Sequence, residues 1–280
     1  MNNFCIVTNR SKDIGLNITN YIKDYLEKHG KTCVIAESTK VRDDKHTGKE
    51  FKSDIPENSD CCIVLGGDGT MLQAARSTAV LDIPLIGVNL GTLGYLAEVE
   101  KGGIDAALEK ILAGKYEIED RMMLCGQMNE QKGDCLNDIV ITRYTSIAAV
   151  DYNIYVNDLL LCSYHADGII VSTPTGSTGY NMSAGGPIVE PSANMILITP
   201  ICPHTLNSRS LVLSADTKIE IGIGQFRDGL KQKVVASFDG SGIIEMTTGD
   251  KITIKKSSKT TKILRLNRVS FLEVLGEKFR

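Results

Sequence analysis

The sequence predicts an α/β protein in two parts, an α/β domain over residues 1–115 and a β-rich, sandwich-like domain over 116–255, followed by a closing segment, 256–280. Three observations predict it. Apolar runs alternate with helical periodicity through the first third, as in a parallel sheet faced by helices. After residue 115 the chain turns into many short β-rich runs with few helices. The glycines cluster: of 26, six lie in 66–94 and five in 167–186. Glycine costs backbone entropy, so a cluster implies turns or close approach of backbone to a ligand.

Residues 3–8 (NFCIVT) read as the first strand. Ile14, Ile18, Ile22, Tyr25 and Leu26 recur at helical spacing, and Gly30 suits the position just past a helix end. Residues 32–36 form a second strand, and 38–58, polar and without period, a mobile loop. A third strand, 60–65, runs into Gly66-Gly67-Asp68-Gly69-Thr70 and a helix through Met71, Leu72, Ala74 and Ala75. Residues 84–88 are a fourth strand, and a helix over 104–113 stops at Gly114. Further strands are expected at 122–128, 138–142, 149–156, 168–172, 196–199, 211–213, 218–223, 233–238, 243–247 and 251–255. Asn157-Asp158 and Asp239-Gly240 are turn signals between some of them. Residues 263–275 return to mixed apolar runs, and no internal repeat is visible.

Composition narrows the function. At 42% hydrophobic and 23% charged, the chain is an ordinary globular protein. Its apolar stretches fall far short of the ~18 residues of a membrane span. MNNFCIVTNR lacks a basic region before its apolar run and reads as a strand, not a signal peptide. Eight cysteines without a C-x-x-C pair suit free thiols in a reducing cytoplasm. The net charge of −3 divides into +7 for residues 251–280 and −10 for the rest. That basic tail reads as a solvated strand and helix face, with phosphate or nucleic-acid contact as the alternative. With 5% aromatics and no Trp, a stacking platform for single strands is not expected.

Three stretches carry chemistry. GGDGT at 66–70 sits between a strand and a helix, where ligands bind in open α/β sheets and helix amides favour phosphate. It is neither a Walker A loop nor G-x-G-x-x-G. Asp68 there is a cation ligand or a base for a hydroxyl nucleophile, unless it merely caps the helix. NLGTLGYL at 89–96 repeats the strand-to-glycine arrangement. DGIIVSTPTGSTGYNMSAGGPI at 167–188 combines Asp167 with the hydroxyls of Ser172, Thr173, Thr175, Ser177, Thr178, Tyr180 and Ser183. Such a loop suits sugar hydroxyls, phosphates and base edges. Asn137-Asp138 opens a strand and reads as a turn or a ribose contact. His204 reads as a structural histidine, and Asp239 stays open between hairpin turn and ligand carboxylate.

Taken together and in this order, GGDGT, NLGTLGYL, ND at 137–138, DGIIVSTPTGSTGY, SAGGPI, TPICPHTL at 199–206 and FDG at 238–240 resemble the NAD kinase family over about 175 residues. The resemblance implies a Rossmann-like N-terminal domain, a β-rich C-terminal domain and a last segment that returns to the first. It implies phosphoryl transfer from ATP or another donor to the 2′-hydroxyl of the adenosine ribose of NAD, with Mg²⁺ or Mn²⁺ assisting. It implies a homodimer or homotetramer in the cytoplasm, with neither a nucleic-acid nor a membrane partner. Under it, Asp68 is the catalytic carboxylate, while Gly67, Gly69 and Thr70 position phosphates. Asn137, Asp138, Asp167, Thr175, Thr178 and Tyr180 contact NAD, Tyr95 packs near the adenine, and Asp239 lies near the dinucleotide. No metal ligand is assigned. Gly179, Asp138 and Tyr95 depart from the family's commoner Ala, Glu and Phe. Because no Lys or Arg lies within the Gly-rich motifs, a cation, the basic tail or another subunit must offset the triphosphate. The alternatives are a lipid kinase sharing the GGDGT loop, a non-catalytic NADP(H) sensor, and a nucleic-acid binder using the tail.

Overall fold

The computed structural model describes residues 1–36, 55–91, 94–144, 148–204, 208–225, 231–267 and 271–279. Most of the loop expected over 38–58 lies outside the described residues, as do Thr92 and Leu93 of the second glycine motif and Thr205 and Leu206 after His204. The chain forms two compact units. The first takes the residues up to Arg121 and those from Lys259 onward; the second takes Met122–Ser258.

In the first unit, strands and helices alternate: β1 (Asn3–Thr8), α1 (Asn17–Lys28), β2 (Thr32–Ala36), β3 (Cys61–Gly66), α2 (Asp68–Leu81), β4 (Leu85–Asn89), β5 (Val99–Glu100) and α3 (Ile104–Leu112). The strands pair in parallel in the order β2-β1-β3-β4, with β5 beyond β4. Parallel strands covered on both faces read as continuous apolar runs, and every residue of β3 is buried. Phe4, Ile6, Ile63, Leu65 and Ile86 share a core with Ile22 and Leu26 of α1 and Leu108 and Ile111 of α3.

Helix ends follow from particular residues. Gly30, at φ +72°, closes α1. Its N–H donates to Glu27 O and that of Lys31 to Leu26 O, which satisfies two end carbonyls. Gly114 does the same for α3, with Lys115 N–H on Lys110 O. The periodicity from Ile14 runs ahead of α1, because Ile14–Leu16 form a 3-10 turn with Gly15 at φ +74°. The carboxylate of buried Asp13 takes the N–H groups of Ile18 and Thr19 and the Thr19 hydroxyl, and so caps the helix proper.

The second unit holds β6 (Glu117–Met128, entering from the first), β7 (Gln131–Cys135), β8 (Asp138–Arg143), β9 (Val150–Val156), β10 (Leu159–Ala166), β11 (Gly168–Ser172), α4 (Tyr180–Ser183), β12 (Met195–Ile201), β13 (Leu211–Ser214), β14 (Ile219–Ile223), β15 (Lys233–Phe238), β16 (Ser241–Thr247) and β17 (Lys251–Arg265). Antiparallel sheets run β13-β12-β11-β8-β15-β16 and β10-β9-β14-β17. Tyr152, Ile154, Ile219 and Ile252 from one sheet pack on Ile139, Ile169, Ile196 and Ala236 from the other, the inner faces of a sandwich. Both expected turns are present with positive φ at each central residue: Asn157 at 48° and Asp158 at 70°, Asp239 at 49° and Gly240 at 69°. β17 outruns the expected 251–255. From Lys259 it belongs to the first unit, where its Ile263 pairs in parallel with Leu85, and α5 (Phe271–Lys278) follows it. Among the described residues, no helix is long and apolar enough to cross a membrane.

Candidate active site

In the first unit the chemistry gathers at the carboxyl ends of β1, β3 and β4. The loop after β1 is fastened to β3, because Asn9 N–H donates to Leu65 O at 2.8 Å. The Asn9 side chain accepts from the N–H and hydroxyl of Ser11, and its Nδ2 reaches Thr70 Oγ1 at 3.5 Å. The loop after β4 is fastened in turn, since Leu90 N–H donates to Gly66 O. The Asn89 side chain clasps Gly91, donating to its carbonyl at 2.9 Å and accepting from its N–H at 3.0 Å. Thr70 is buried, and a β-carbon on Gly66 would stand 2.4 Å from its Oγ1, so only glycine fits there.

α2 begins at Asp68 itself, with Gly67 as an extended cap that offers no side-chain acceptor. Asp68 is therefore not a capping residue. Its Oδ2 accepts from Tyr95 N–H at 2.9 Å and its Oδ1 from Leu96 N–H at 3.2 Å. A β-carbon on Gly94 would lie 1.9 Å from Asp68 Oδ1. The two glycine motifs thus converge on one carboxylate, the second supplying amides that hold it. The space beside Gly69 is open for 4 Å. Tyr95 lies with Lys278 Nζ 4.7 Å from its ring centre. Burial, and then the charge of Asp68, raise its hydroxyl above the ordinary tyrosine range.

In the second unit, much of the hydroxyl-rich stretch fastens itself. The Thr173 hydroxyl donates to Leu136 O at 2.6 Å and accepts from Gly176 N–H. Ser177 exchanges two hydrogen bonds with the Val189 backbone. Asn181, buried and not singled out by the sequence, donates to Ser177 O and Pro187 O and accepts from the Thr199 hydroxyl. A β-carbon on Gly176 would stand 2.2 Å from Asn137 O, so glycine lets the loop lie directly on the Asn137-Asp138 strand start. Thr175 and Thr178 are buried in this loop, and Tyr180 is 47% exposed. Asp167 pairs with Arg143 at 3.1 Å. His204 meets His165 edge-on, its N–H donating to His165 O.

Asp239 is in the hairpin turn, and its carboxylate is engaged by protein. It accepts from the N–H groups of Leu136, Asn137 and Asp138 at 2.9, 2.7 and 3.2 Å. This fixes the two residues beside it. Asn137 Oδ1 is buried without a hydrogen-bond partner among the described residues. Burial, and then the charge of Asp239, push the Asp138 carboxyl up to about 7. An unmatched acceptor beside a carboxyl whose charge burial disfavours offers two groups that donors from a ligand would satisfy.

In one unit a carboxylate is held by two amides at the strand ends, and in the other a hydroxyl loop adjoins an unmatched acceptor; each is the chemistry a phosphotransferase of the nucleotide-binding α/β class uses. Comparison with known proteins makes the assignment specific. Residues 4–116 match the model of the ATP-NAD kinase N-terminal domain, and 136–266 that of the ATP-NAD kinase C-terminal domain. An NAD kinase of Lachnoclostridium phytofermentans is 44% identical, over 100% of this chain and 99% of that protein. One of Agathobacter rectalis is 46% identical, over 99% and 98%. Yeast NADH kinase complexed with NADH shares the fold at a TM-score of 0.80 and 24% identity, covering 100% of this chain and 87% of that one. The chain belongs to the NAD kinase family. Nothing in these likenesses favours the lipid-kinase, sensor or nucleic-acid alternatives.

Proposed function

We infer that this chain phosphorylates NAD with ATP, placing the phosphate on the 2′-hydroxyl of the adenosine ribose. The observation that carries the mechanism is Asp68, a carboxylate fixed by two backbone amides and free of any ion-pair partner among the described residues. It takes the proton of the ribose hydroxyl as the oxygen attacks the γ-phosphorus. The bond to the bridging oxygen breaks, and ADP leaves with that electron pair. Gly67, Gly69 and Thr70 offer the start of α2 to the phosphates. Asn137, Asp138, Asp167, Thr175, Thr178 and Tyr180 hold the dinucleotide, Tyr95 stacks near the adenine, and Asp239 acts by holding Asn137 and Asp138.

No group of three or more His, Cys, Asp or Glu among the described residues could hold a metal ion. Mg²⁺ commonly binds through one or two carboxylates together with substrate phosphates. Asp68 fits that role, since each of its oxygens takes only one amide bond. When bound, Mg²⁺ or Mn²⁺ would neutralise charge on the triphosphate. None of the eight cysteines is in a disulfide among the described residues, in keeping with a reducing cytoplasm.

Asp138 supplies the test of the dinucleotide half. A ribose or adenine donor on its carboxylate favours the ionised form and lowers its pKa from about 7. Binding of NAD then releases protons near neutrality, and affinity rises with pH until the free acid is ionised. Calorimetry in buffers of different ionisation enthalpy measures this. Proton release that vanishes in Asp138→Asn is the expected result; uptake, or release unaltered by the substitution, contradicts it.

A further inference from the structure

The loops after β1, β3 and β4 are joined into one piece by Asn9 N–H on Leu65 O and Leu90 N–H on Gly66 O. Lys12 belongs to the first of them, its N–H on Asn9 O at 2.9 Å. Its ammonium reaches across the other two. A β-carbon on Gly67, or on Gly91, would stand 3.1 Å from Lys12 Nζ in each case. Gly67 caps α2 immediately before Asp68, and Gly91 belongs to the second glycine motif. Both positions lack a side chain where the ammonium lies.

The placement is electrostatically odd without a ligand. A helix N-terminus carries about half a positive charge, which disfavours a cation there; the one acid in the first turn, Asp68, is held by the Tyr95 and Leu96 amides and makes no ion pair with Lys12 among the described residues. Lys12 has no ion-pair partner among the described residues. Its neighbour Asp13 is fully engaged in capping α1. The glycine motifs themselves hold no Lys or Arg to balance a triphosphate. Lys12 comes from 54 residues before the first of them in sequence and answers that need in space.

We propose that Lys12 is a donor-binding residue whose ammonium takes the phosphate oxygens of ATP beside Asp68. The proposal rests on the NAD kinase reading. Lys12 is exposed, so Lys12→Met leaves the core intact, and an unchanged melting temperature verifies this. Steady-state kinetics are then measured for each substrate with the other saturating, with inorganic tripolyphosphate as a competitive probe. Lys12→Met raises KM for ATP and the inhibition constant of tripolyphosphate about tenfold or more, as expected for loss of a charge-assisted hydrogen bond. KM for NAD stays within about twofold, and Lys12→Arg recovers most of the loss, because a compact charge on an exposed loop needs no fixed fork geometry. An unchanged KM for ATP, an equal rise in both KM values, or an Arg variant no better than Met overturns the proposal. Failure of the NAD kinase reading would look different: the unsubstituted protein would then form no NADP.

Discussion

Asp68→Asn is expected to lower kcat by roughly 10²–10⁴-fold, the range for loss of a general base, while the dissociation constant for NAD changes little. The amide cannot take the ribose proton. It also disturbs the pocket, because an Asn oxygen can accept from only one side while its NH₂ faces the N–H of Tyr95 or Leu96. Asp68→Glu separates charge from position. It keeps the carboxylate, but Gly94 already lies so close that its β-carbon would be 1.9 Å from Oδ1. The longer side chain therefore cannot occupy the same place, and it too should be nearly inactive. Turnover in a coupled NADP assay, beside NAD binding by calorimetry, measures both. Undiminished kcat in Asp68→Asn would remove the residue from the mechanism.

The second large effect is expected at Asp239, which need touch no substrate. Asp239→Ala strands three backbone N–H groups, those of Leu136, Asn137 and Asp138. Each unpartnered amide costs about 1–3 kcal/mol when buried, against a total stability of about 5–15 kcal/mol for a typical domain. The second unit should melt well below the unsubstituted protein, and NAD affinity should fall with it. Asp239→Asn is the milder variant. Asn tolerates the φ of 49°, and its oxygen keeps the Oδ1 partners Asn137 and Asp138. It also removes the charge that helps raise the Asp138 pKa, so proton release on NAD binding should shift to lower pH. Thermal unfolding of both variants tests the ranking; an alanine variant as stable as the parent would refute the anchoring role.

Much of this is legible in the sequence where burial is two-sided. β1, β11 and β15 coincide with their apolar runs, and the Gly30 and Gly114 helix ends follow from left-handed backbone that glycine adopts freely. β10 is not legible. Leu159, Leu160 and Leu161 are all exposed, so the run has no alternation to betray a strand. β7, with the polar sequence QKGDC, is a strand because it pairs with β6. The candidate site divides the same way. Its motifs stand in the sequence, but the meeting of Asp68 with the amides of Tyr95 and Leu96 spans about 27 residues, and only the fold brings them together. Ser172, Thr173 and Ser177 look like ligand hydroxyls in sequence, yet they bind backbone. Lys12 carries no motif of its own, and its place above Gly67 and Gly91 depends on three strand ends lying side by side.

The central claim is that this chain moves a phosphoryl group from ATP to the adenosine 2′-hydroxyl of NAD. The most direct test incubates the protein with ATP, Mg²⁺ and NAD and detects the product with a dehydrogenase specific for NADP, beside parallel reactions with NADH and with diacylglycerol. NADP formed from NAD, and no phosphorylated lipid, is the predicted result. Product from diacylglycerol alone, or no product from any acceptor, would contradict it.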